Sequence, residues 1–114
     1  MHIRVAFEPE ATIELCDPDD CSRLHVEVQE ELTVGQVGWL LSRTGVGKLR
    51  DGNDAMLNVA ALRQLAADRV APGWEERFQK MLTFARGQGW MSADGASVQA
   101  HCVRKQMVGS AKPE

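Results

Sequence analysis

The stretch from Trp74 to Val103 constrains the chain most, because it strings together a helix, a stop and a reversal. Trp74, Phe78, Met81, Leu82 and Ala85 recur at the spacing of one helical face. Glu76, Gln79, Lys80, Thr83 and Arg86 occupy the other. Pro72 suits a first helical turn, and Glu75, Glu76 and Arg86 complement the helix dipole. Gly87 and Gly89 can adopt the left-handed conformation that ends a helix. Trp90–Ala93 and Ala96–Val103 then flank Asp94-Gly95, a favoured two-residue hairpin turn.

The register of that hairpin decides which face Trp90 occupies. A two-residue turn pairs Met91 with Val98 and sets Trp90 beside Ser92, Gln99 and His101. A three-residue loop moves the pairing by one and returns Trp90 to the face of Val98, Ala100 and Cys102. The general burial of tryptophan places Trp90 in the core. The alternative is a surface patch of Trp90, Gln99 and His101 for a partner.

The N-terminal third reads as strands. Ile3, Val5 and Phe7 alternate with His2, Arg4 and Ala6. A turn follows around Pro9, between Glu8 and Ala11. Thr12–Cys16 is a second strand, Asp17-Pro18-Asp19-Asp20 a loop, and Arg23–Val28 a third strand with His25 and Glu27 outward. Leu32–Arg43 reads as a helix, with Thr33 and Gln36 as a capping box and Gly45 as its stop. Asp51-Gly52 marks a hairpin between Val46–Arg50 and Asp54–Leu57; a rival reading starts a helix at Asp54. With the hairpin, Asn58 caps a helix over Val59–Arg69.

This order predicts an α+β domain over residues 1–108, a small antiparallel sheet with about three helices packed on one face, and a frayed tail over 109–114. A chain of 114 residues supports one core. It contains no apolar run of bilayer length, and Met1–Glu8 does not read as a signal peptide. Three cysteines, an odd count, make a poor disulfide framework and suit a cytoplasmic protein.

Charge is unevenly spread. Residues 1–31 carry two basic and nine acidic side chains; residues 32–114 carry eleven basic and seven acidic. The net charge of −3 argues against a general nucleic-acid binder, while the positive C-terminal part permits an anionic partner.

Tempting motifs mostly fail. Thr44-Gly45-Val46-Gly47-Lys48 lacks the first glycine of a phosphate loop, where Ser42 stands, and the hydroxyl after lysine, where Leu49 stands. Cys16, Cys21 and His25 are candidate metal ligands, with Cys102 or His2 as a fourth, but no second closely spaced ligand pair accompanies them. His101 and Cys102 face opposite sides of one strand and cannot pair for nucleophilic catalysis. No catalytic residue and no cofactor is assigned.

The leading expectation is a non-enzymatic domain that works through a protein partner or self-association, with Trp90, Gln99 and His101 in contact and Trp39 behind them. The first alternative is a winged-helix nucleic-acid binder using Arg77, Lys80, Arg86, Arg104 and Lys105. An enzyme or small-ligand binder is the second.

Overall fold

A computed structural model describes residues 1–7 and 10–106. The predicted tail and part of the turn around Pro9 lie outside these residues. The described residues form an α+β fold with three helices and a curled, mixed six-stranded sheet. Its strands are β1 (His2–Ala6), β2 (Thr12–Cys16), β3 (His25–Gln29), β4 (Gly47–Leu49), β5 (Asp54–Asn58) and β6 (Ser97–Lys105). Its helices are α1 (Val34–Thr44), α2 (Val59–Ala66) and α3 (Trp74–Gly87).

The sheet order is β2-β1-β3-β6-β5-β4. The expectation of an antiparallel sheet is corrected: β1–β3 and β3–β6, the two pairings made by β3, are parallel. The cause lies in two connections that are not hairpins. After β2, residues 17–24 carry the chain to the far side of β1, so β3 runs alongside β1 in the same direction. The chain then builds α1, the β4–β5 hairpin, α2 and α3 before β6 returns between β3 and β5. Hairpin signals report only local reversals and are silent on such insertions.

Local chemistry accounts for most element boundaries. Gln36 N–H donates to Thr33 Oγ1, and Thr33 N–H donates to Gln36 Oε1, the expected reciprocal cap. Gly45 ends α1 at φ +75°. Asn58 Oδ1 accepts from Ala61 N–H and caps α2, which ends at Ala66, short of Arg69. The residues around Asp51-Gly52 form the expected hairpin. The α3 stop falls at Gly89, at φ +80°, while Gly87 remains helical.

Alternate strand residues and the helix stripes share one core. Ile3, Val5, Val26, Val28, Ala55, Leu57, Val98 and Ala100 join Val37, Leu40 and Leu41 of α1, Leu62 of α2, and Phe78 and Leu82 of α3. Phe78 stacks on Trp74, with ring centroids 4.6 Å apart. Trp74 Nε1–H donates to the Pro18 carbonyl at 2.6 Å and ties α3 to the acidic loop. Arg63 of α2 holds Glu75 of α3 through two nitrogens and covers the Phe78 ring. Among the described residues no helix is long and apolar enough to cross a membrane.

Candidate functional site

The expected patch of Trp90, Gln99 and His101 is brought together, and it lines a cleft of about 420 Å³. The chain keeps the register expected of a two-residue turn, with Met91 opposite Val98, but the reversal is a longer loop closed by Gly95 N–H on the Ser92 carbonyl, since Asp94 does not take the positive φ of a type I′ turn. Trp90 therefore lies off the core face and is 42% exposed, which corrects the expectation of a core tryptophan. Only Met91 forms a bridge in the first arm, because that arm and β3 divide one edge of β6 between them. Trp90 O accepts from Gln99 N–H, and β3 takes over at His101. The cleft opens where β6 changes partner.

Its walls come from separate elements. Trp90 N–H donates to the Ala85 carbonyl at 2.9 Å after the chain reverses at Gly89, and this brings the indole back against α3. There it meets Phe84 edge-on, with centroids 5.9 Å apart. Phe84 is 61% exposed and is one of the exposed large apolar residues, with Trp90, Trp39 and Val34. Met81, Ala85, Val98 and Leu24 supply the remaining apolar lining. Asp54 and His101 add polarity, with Oδ1 and Nδ1 3.4 Å apart. The Gln99 side-chain carbonyl accepts from Arg50. Sequence reasoning missed Phe84 and Leu24: Phe84 lay outside the α3 stripe, but nothing local placed it beside Trp90.

A second constellation lies on the outward face of the sheet. Register places Cys16, His2, His25, His101 and Asp54 in one row across five strands. Directly opposed residues share a face, so all three histidines of the chain stand in line. Glu27 sits two residues along β3 from His25 and approaches both nearby imidazoles. His25 Nε2 lies 3.0 Å from Glu27 Oε2, and His2 Nε2 lies 3.5 Å from Glu27 Oε1. The two rings stack at 4.9 Å. Burial, helped by neighbouring His25, holds the His2 pKa below its ordinary value despite Glu27 and Asp17. Burial pushes the Glu27 carboxyl upward, but the His25 hydrogen bond and the charges of His2 and Lys105 outweigh it, leaving its pKa below the usual value.

The trio Cys16, Cys21 and His25 is not gathered. Cys21 packs against the core and lines the surface beside Arg77, Lys80 and Met81 of α3, whereas His25 faces the opposite side of the sheet. Among the described residues the group able to converge on a metal is His2, His25 and Glu27.

Burial raises the pKa of all three thiols, and Cys102, with Asp54 adding to the effect, is pushed up to about 11. An ordinary thiol near 8.5 is roughly 10% thiolate at pH 7.5, and a thiol near 11 holds a few hundredfold less. Cys102 is therefore expected to alkylate at least ~100-fold more slowly in the native protein than in urea. Mass-resolved iodoacetamide labelling measures this; equal rates would contradict the burial.

The five cations of the winged-helix reading are dispersed in their roles. Arg77 pairs with Asp19 at 2.9 Å. Arg104 donates to the carbonyls of Glu30 and Leu32. Lys105 Nζ stands 3.9 Å from Glu27 Oε2. Arg86 approaches the hairpin turn near Gly95, and Lys80 lies beside Arg77 on α3. The strand that would form the wing, β6, is an interior strand flanked by β3 and β5. No protein-family model matches the chain, nor does any curated protein or solved structure.

Proposed function

We propose that the protein is a non-enzymatic docking domain that receives an apolar side chain of a protein partner in the cleft beside Trp90. The observation carrying this reading is the exposed Phe84–Trp90 pair at the mouth of a concave, largely apolar site. Exposed aromatics grouped around a cavity are the usual anchors of interfaces, since they release much water for little loss of side-chain freedom. The chemistry of the lining describes the occupant. Leu24, Met81, Phe84 and Trp90 suit one large aliphatic or aromatic side chain, and Asp54 beside His101 suits a donor on the same segment. Three free cysteines suit a reducing, cytoplasmic setting for this role.

Selection of a displayed random-peptide library on the intact chain tests the proposal. Enriched peptides are expected to share a bulky apolar anchor and to lose at least about 10-fold in affinity on Phe84→Ser or Trp90→Ser, an anchor contribution of about 1.4 kcal/mol or more. Peptides that bind both variants unchanged would place the interface elsewhere. Binding confined to small apolar molecules, with no peptide selected, would replace the docking role with a ligand-carrying one.

A further inference from the structure

We propose that His2, His25 and Glu27 form a binding site for a divalent d-block cation of the zinc class, with two imidazoles and one carboxylate as ligands and water completing the shell. The site is distinct from the Trp90 cleft and does not rest on the docking role.

Parallel pairing of β1 and β3 is what creates it. His2 is opposed to His25, so two imidazoles 23 positions apart in the chain share one outward patch, and period-2 alternation adds Glu27. One ligand atom from each residue lies within 4.8 Å of the others. Zinc bonds of about 2.0–2.2 Å in tetrahedral geometry require ligand atoms roughly 3.3–3.5 Å apart. His25 Nε2 lies 3.0 Å from Glu27 Oε2 and His2 Nε2 lies 3.5 Å from Oε1, so each imidazole faces a different oxygen of the same carboxylate at close to that spacing. Turning the Glu27 carboxylate and drawing the three ligand atoms inward from within 4.8 Å would close the site.

The surroundings are those of a ligand set. The side chains of His2 and Glu27 are only 12% and 13% exposed, and that of His25 26%, so water competes weakly. His2 Nε2 is buried without a hydrogen-bond partner and faces the carboxylate. Its other ring nitrogen stands 4.0 Å from Asp17 Oδ2, the place where ligating histidines commonly keep an orienting carboxylate. Two imidazoles and a carboxylate are a recurrent donor set for zinc and for non-haem iron(II). Cys16 neighbours His2 in register but lies outside the group, so the set contains no thiolate. Lys105, near Glu27 and largely exposed, is a competing cation that must swing away.

Cobalt(II) titration of the tag-free full chain, followed by zinc competition, tests the site. The expected result is one equivalent bound, with visible d–d absorption and no thiolate charge-transfer band. His25→Ala and Glu27→Gln are each expected to weaken binding by more than about 100-fold, beyond the 10–100-fold typical of outer-shell partners. Lys105→Met should tighten binding several-fold, and Cys16→Ser should leave it unchanged. Circular dichroism establishes that each variant is folded, and His25→Gln decides the matter if Glu27→Gln is not. Absence of saturable binding overturns the proposal. So does equal affinity in the folded ligand variants, or a charge-transfer band abolished by Cys16→Ser.

Discussion

Phe78→Ala is expected to cost about 3–5 kcal/mol of folding stability, the range for removing a buried aromatic ring. Phe78 is fully buried, stacks on Trp74 and lies under the Arg63 guanidinium. Its ring therefore joins α3 to α2 as well as to the sheet. Deletion leaves a cavity whose walls cannot collapse freely. Trp74 is anchored at its nitrogen by the Pro18 carbonyl, and Arg63 is held by Glu75. Both constraints place the loss toward the upper end. The midpoint of thermal unfolding should fall by roughly 10–25 °C for a domain of this size. Urea unfolding with an unchanged slope would show that stability, not the denatured state, has moved. A loss below ~1 kcal/mol would show that α3 is not integral to the core.

What the sequence could disclose followed the range of the interactions responsible. Thr33 with Gln36 and Asn58 before α2 act within a few residues, and each produced the element it signalled; Asp94-Gly95 marked the reversal, but the loop is longer than the expected two-residue turn, with Gly95 N–H donating to the Ser92 carbonyl. The outward positions of His2, His25, Glu27 and His101 were also legible, since alternation assigns a face within each strand. Which strands are neighbours was not. His25 and His101 are 76 residues apart, and their adjacency exists only because β6 inserts beside β3. The weak Cys16, Cys21 and His25 candidate is dispersed for the complementary reason: closeness along the chain did not keep Cys21, which packs against the core, on the outward face that Cys16 and His25 share. Trp90 belongs to neither case. Its exposure followed from the register that sets Met91 opposite Val98, which outweighed the general tendency of tryptophan to be buried.

The second large effect is expected at Gly47, the first residue of β4. A Cβ built there would lie 2.2 Å from the Met56 carbonyl oxygen and 3.1 Å from the Leu57 Cα. These are backbone atoms of β5, so no side-chain rotation relieves the contact. Gly47→Ala must drive β4 away from β5. The adjacent hydrogen bond from Asn58 N–H to the Val46 carbonyl, 2.7 Å, is placed at risk, and with it the buried Val46 side chain. Asn58 is also the N-cap of α2, so the strain reaches a helix start. The expected loss is about 3 kcal/mol, the upper part of the usual range for overpacking. Gly87→Ala is the matched control. Gly87 is the last residue of α3, the added carbon meets nothing within 4 Å beyond its own chain neighbours and helix backbone, and the change should stabilise by about 0.5 kcal/mol through helix propensity. Parallel urea titrations read both. Opposite signs identify Gly47 as required by close approach of two backbones; a loss at Gly47 under ~0.5 kcal/mol would mean that β4 can lift from the sheet edge without disturbing α2.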